Sequence, residues 1–112
     1  MSAEVVWSPL AVSDLDTIWD WIAVENGEPS AADKVIMAIL DRVDGIVDFP
    51  YATAPLDTVC SIRSDWRFVE AHGYLAFFRV DDSHVYVDRV LSGKSDYLRK
   101  LFGVNDGRSY YR

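Results

Sequence analysis

Arg67, Glu70 and His72 come closest to a chemical constellation in this chain of 112 residues. Residues 66–71 carry a β-type pattern that leads into His72, and residues two apart on a strand share a face. Glu70 and His72 therefore fall together, with Arg67 nearby across the pleat. A carboxylate, an imidazole and a guanidinium could supply a base, an acid and a phosphate clamp. The plainer reading, a polar strand end beside the Gly73 turn, is preferred. His72 and His84 have no cysteine and no spaced carboxylate–histidine partner, so no metal site is expected. The sequence contains no glycine-rich phosphate loop, nucleophile elbow or paired catalytic carboxylates, and no cofactor is implied.

The elements that would position these residues follow from periodicity. Residues 4–7 are a short β-type run. Ser8-Pro9 then reads as an N-cap followed by proline at the first helical position. Ala11, Leu15, Ile18 and Ile22 keep the 3.6 period, with Trp19 and Trp21 at the stripe's margins. Asn26-Gly27 ends this helix. Pro29-Ser30 opens a second, with Ser30 as its expected N-cap and an apolar stripe from Ala32 to Phe49, where Pro50 stops it; Gly45 weakens its last turn. An irregular connection over 51–57 follows. The period then drops to two, predicting strands over 59–63, 66–71, 74–80 and 84–91 with short turns, and hence antiparallel pairing. Residues 95–102 read as a short final helix and 103–112 as a polar, aromatic-ended tail. The expected architecture is α+β and one domain over 1–112: a strand, a helical hairpin, an antiparallel meander and a C-terminal helix.

Composition narrows the function classes. Cys60 is the only cysteine, so no intramolecular disulfide can form, and Cys60 reads as a buried, inert thiol in a reducing compartment. No apolar run approaches the roughly 20 residues of a membrane span, and no basic signal region opens the chain, so a cytoplasmic location is expected. The net charge of −7 argues against broad nucleic-acid affinity. It is unevenly spread. Residues 1–57 carry two basic and eleven acidic side chains (−9), residues 58–88 three and five (−2), and residues 89–112 six and two (+4). That polarity suits two different partners, although a solvated acidic helix face is the commoner explanation of the N-terminal part.

Several phrases, in order, resemble one family. They are Ser8-Pro9-x-Ala11-x-x-Asp14-Leu15-x-x-Ile18-x-x-Trp21-Ile22, then Ala31-Ala32 through Ile46-Val47-x-Phe49-Pro50, then Arg67. After these come Gly73-Tyr74-Leu75-Ala76-Phe77-Phe78-Arg79-Val80, and Arg89-Val90-Leu91-x-Gly93-x-x-Asp96 leading to Leu101-Phe102. Together they resemble the RelE/ParE superfamily of type II toxin–antitoxin toxins, most closely its ParE branch. The resemblance implies a small cytoplasmic toxin neutralised by a cognate antitoxin. ParE-type members bind DNA gyrase and trap its cleaved-DNA state, whereas RelE-type members cut mRNA on the ribosome.

The nuclease chemistry needs positive charge or a proton donor beside the phosphate. At the positions where RelE carries basic or tyrosine residues, this sequence aligns Trp66, Phe68, Leu75, Ser95 and Leu101. Ser92 replaces a histidine common to both branches. The expectation is therefore a gyrase inhibitor with no enzymatic activity of its own. A ribosome-dependent endoribonuclease with Arg67, His72, Lys94 and Tyr97 as its residues is the alternative. Arg89, Lys94, Arg99, Lys100, Arg108 and Arg112 are the candidate target-binding set. Trp19, Trp21, Trp66 and Phe68 are candidates for an apolar groove that takes the antitoxin by strand addition or as a docked helix.

Overall fold

The computed structural model describes residues 4–58 and 64–102. The predicted strand over 59–63 with Cys60, and the tail over 103–112 with Arg108 and Arg112, lie outside the described residues.

Strand β1 (Glu4–Trp7) leads into helix α1 (Pro9–Asp20). Ser8 Oγ accepts the Ala11 N–H at 3.0 Å, the cap that the Ser-Pro pair predicts. The helix does not stop at Asp20. It widens into one π-turn over Trp21–Glu25, closed by the Asn26 N–H on the Trp21 carbonyl, before Gly27 turns the chain at φ +68°.

Helix α2 (Pro29–Asp44) corrects the sequence reading at both ends. Glu28, not Ser30, holds the N-cap position, and its side chain makes no capping bond. Pro29 takes the first helical position, where its missing N–H leaves nothing unpaired. The helix stops at Asp44, with Gly45 at the C-cap, so the stripe does not run to Phe49. Ile46 still reaches the core at 3% exposure, but Phe49 is 74% exposed. The expected irregular connection contains two short 3₁₀ turns, Pro50–Ala52 and Leu56–Thr58, around strand β2 (Ala54–Pro55).

Strands β3 (Arg67–Ala71), β4 (Tyr74–Val80) and β5 (His84–Ser92) form the antiparallel meander. His72 and Gly73 join β3 to β4 with φ of 52° and 85°, both positive as a tight type I′ hairpin turn requires. The sheet order is β1-β5-β4-β3-β2, with β1 parallel to β5, so the sheet is mixed. Helix α3 (Tyr97–Phe102) starts two residues later than expected, because the Ser95 N–H and Oγ both bond to the Ser92 carbonyl in a turn.

Both faces of the sheet are covered. Ala11, Ile18, Ile39, Val43 and Ile46 from the hairpin side pack on Val69, Ala76, Phe78, Val85, Val87 and Val90. On the opposite face Leu56, Phe77 and Leu91 form a second cluster with Phe68, Tyr97, Leu101 and Phe102 around it. The unbroken run Leu75-Ala76-Phe77-Phe78 in β4 reflects burial on two sides.

Phe78 is fully buried. Phe78→Ala should lower unfolding free energy by about 3–5 kcal/mol, read from urea denaturation. In the β4–β5 turn, Asp81 accepts the Ser83 and His84 N–H groups and the Tyr86 hydroxyl. The Ser83 bond first, then that of Tyr86, holds its carboxyl below the usual range, and the same contact raises the Tyr86 phenol. Because the folded-state value is the lower one, the stabilisation is complete above the ordinary carboxylate range and is lost as pH falls through the folded-state value. Asp81→Ala should remove that part of the acid dependence of the urea midpoint.

Candidate functional site

The geometry at the C-terminal end of β5 begins with a bulge. Phe77 pairs with Arg89 and Phe78 with Val87, so Asp88 is an extra residue. Its carboxylate receives the Trp66 indole N–H at 2.8 Å and the Arg79 guanidinium at 2.6 and 3.2 Å. The hydrogen bond to Asp88 raises the Arg79 pKa above its ordinary value. Its neighbour Arg89 turns to α1 instead and forms a two-pronged pair with Asp14, at 2.8 and 3.0 Å. The Asp14 carboxylate also accepts the Val90 N–H at 2.9 Å. The hydrogen bond from Arg89 to Asp14 raises the Arg89 pKa. Arg89, expected at the target surface, is therefore a structural tie between helix and sheet.

The four candidate nuclease residues do not meet. Arg67 is spent on the β2 side, where its guanidinium donates to Thr53 Oγ1 at 3.1 Å, to the Tyr51 carbonyl at 3.0 Å and to the Thr53 carbonyl at 2.5 Å. Tyr97 lies against the Phe77 ring, with centroids 5.5 Å apart. His72 and Lys94 do share a shallow pocket of about 540 Å³ with Glu70 and Trp21. The Glu70–His72 pairing on one strand needs correction, however. β3 ends at Ala71, the positive φ of His72 takes it off the pleat, and Glu70 is committed to the Gly73 N–H at 2.6 Å.

Of the five positions that align with RelE's basic or tyrosine residues, all but Ser95 carry apolar side chains that pack together. Trp66, Phe68 and Leu75, with Leu101 of α3, all pack against the second cluster, and Trp66 meets Phe102 edge-on at 5.1 Å. The four aromatic groove candidates are thereby split. Trp66 and Phe68 belong to this cluster, whereas Trp19 and Trp21 lie on the hairpin. There the Trp19 indole donates to Asp33 at 3.1 Å and Trp21 is 56% exposed. Of the basic set, Lys94, Arg99 and Lys100 are exposed, and Arg99 pairs with Asp96 at 3.2 Å.

Sequence reasoning missed Asp14 as a structural acceptor, the Asp88 bulge and the π-turn. Two signals were present: an aspartate on the helix flank beside Leu15, and an Asp-Arg pair inside an otherwise apolar strand.

The sequence matches the family described as "ParE toxin of type II toxin-antitoxin system, parDE" over residues 5–97. No curated protein matches it in sequence. Among solved structures the fold is similar to a chain of the chromosomal ParDE TA system from P. aeruginosa. Identity is 22%, coverage is 81% of this chain and 96% of that one, and the TM-score is 0.67. It is also similar to a chain of the toxin–antitoxin complex RelBE2 from Mycobacterium tuberculosis, at 16% identity, 82% and 99% coverage and a TM-score of 0.60.

Asp14→Ala leaves a part-buried guanidinium and the Val90 N–H without their acceptor. The expected loss is about 2–3 kcal/mol in urea denaturation. Arg89→Ala should cost less, and the double variant little more than Asp14→Ala alone, because the two residues act as one unit.

Proposed function

The chain belongs to the family of ParE toxins of type II toxin–antitoxin systems, and from that premise we propose that it arrests growth by binding DNA gyrase rather than by cutting RNA. It acts in the cytoplasm and is held inactive by an antitoxin. The observation that carries this reading is the apolar cluster of Trp66, Phe68, Leu75 and Leu101, at the positions where a RelE-type nuclease needs charge. A phosphate approaching that surface would meet carbon, with no donor to stabilise charge at phosphorus. The commitment of Arg67 to Thr53 and Tyr51, away from the pocket that His72 and Lys94 share, supports the same conclusion.

The antitoxin half of the proposal draws on the similar ParDE and RelBE2 proteins, which are named as toxin–antitoxin systems. The target half rests on Lys94, Arg99 and Lys100, exposed cations near the end of an otherwise acidic chain. No helix among the described residues is long and apolar enough to cross a membrane.

Expression without antitoxin should induce the DNA-damage response and gyrase-linked DNA cleavage while mRNA stays intact. Co-expression of the protein encoded beside it should restore growth. Replacing Lys94, Arg99 and Lys100 together by alanine should reduce killing at unchanged protein level. Codon-positioned mRNA cuts without DNA damage would reverse the assignment.

A further inference from the structure

β5 is longer than its neighbour. β1 pairs with it only from His84 to Val87, so the last five of its nine residues have no strand on their outer side. Helix α1 covers the first part of this edge through the Ser8 hydroxyl on the Asp88 carbonyl at 2.9 Å and Asp14 on the Val90 N–H. The Gly93 N–H bonds to the Gly73 carbonyl, so residues 91 and 93 turn their backbone groups toward β4. In an antiparallel ladder residues 90 and 92 then turn theirs outward, as the Val90–Asp14 bond agrees. The Ser92 carbonyl is taken by Ser95. What remains is the Val90 carbonyl and the Ser92 N–H. Neither has a hydrogen-bond partner among the described residues, and one residue of an added strand would bond to both.

A groove of about 690 Å³ lies in front of this edge, between α1 and the end of β5. Thr17 and the exposed Trp21 form one wall, and Lys94 and Lys100 stand on the other. Arg89 and Asp14 neutralise each other at its floor. Lys94 and Lys100 have no ion-pair partner among the described residues. A free backbone donor and acceptor, an open indole and two unpaired ammonium groups describe an occupant that is extended, has an apolar or flat side chain and carries carboxylates. A nucleic-acid strand would use the indole and the lysines but leave both backbone groups unpaired.

We propose that the outer edge of β5 at residues 90–92 is a strand-addition site for an extended acidic segment of the antitoxin. The proposal rests on the antitoxin reading above. It places the acidic segment against the Lys94–Lys100 rim of a chain whose helical hairpin is strongly acidic.

The test uses the full chain and the full-length protein encoded beside it, by calorimetry and by amide exchange followed in NMR spectra. A complex in which the Ser92 amide exchanges about tenfold or more slowly, and in which K94E together with K100E weakens binding about tenfold, is the expected result. Ser92→Pro, which removes the N–H at an edge that tolerates proline, should weaken it comparably with the circular dichroism of the free chain unchanged, whereas Ser92→Ala, which removes only the Oγ that accepts the Lys94 N–H, should not. A complex with Ser92 exchange unaltered overturns the strand-addition site and leaves the antitoxin reading standing. Slowed exchange without sensitivity to the lysine reversals overturns the acidic chemistry. Absence of any complex overturns both. Ser92 and Trp21 signals that respond to a single-stranded oligonucleotide and not to the protein assign the groove to nucleic acid. Concentration-dependent protection in the free chain assigns it to a second copy.

Discussion

The short partner of β5 sets the constraint on which this end of the molecule is built. A four-residue β1 cannot cover a nine-residue strand, and backbone groups left beside a core must find other partners. Ser8, the cap of α1, and Asp14, within it, supply partners for two of them, the Asp88 carbonyl and the Val90 N–H. The same carboxylate draws Arg89 across and so sets where the helical hairpin sits on the sheet. The Asp88 bulge just before it shifts the pairing register and leaves Asp88 to join Trp66 and Arg79. One helix cap, one carboxylate and one extra residue thus fix the geometry of the whole end.

The second consequence is that the sheet is buried twice. α3 and the β2 region cover the face away from the hairpin, and Phe77 beneath them is fully enclosed. Phe68 and Leu75 are partly buried against this cluster, and a lysine or arginine in either place would lose the apolar packing without gaining a partner. The apolar residues on this face are therefore tied to the position of the C-terminal helix as a packed set. That coupling ties all of these positions together, so no single one of them can be exchanged for a charge without disturbing the others.

Legibility in the sequence followed the strength of the local signals. Ser8-Pro9, the His72-Gly73 turn and the alternation in β4 each prescribe a backbone conformation by themselves, and those elements were placed to within a residue. α2 was read too long because Ile46 and Val47 continue its apolar rhythm after Gly45 has already ended the helix. β2 was missed because two residues carry no periodicity and the strand is fixed from outside, by its pairing with Arg67 and Phe68. At the site, the apolar character of Trp66, Phe68, Leu75 and Leu101 could be read directly. The engagement of Arg89 by Asp14 could not, since 75 residues separate the partners and only the fold brings them together. The π-turn that begins at Trp21 carries no distinct mark in the sequence.

The most direct measurement adds the purified chain to DNA gyrase and supercoiled plasmid, denatures the enzyme and scores linear DNA. Linear DNA that increases with the amount of chain added and disappears when the antitoxin is present is the predicted result. Intact plasmid at excess chain, with cleavage of mRNA on ribosomes in the parallel assay, would contradict it.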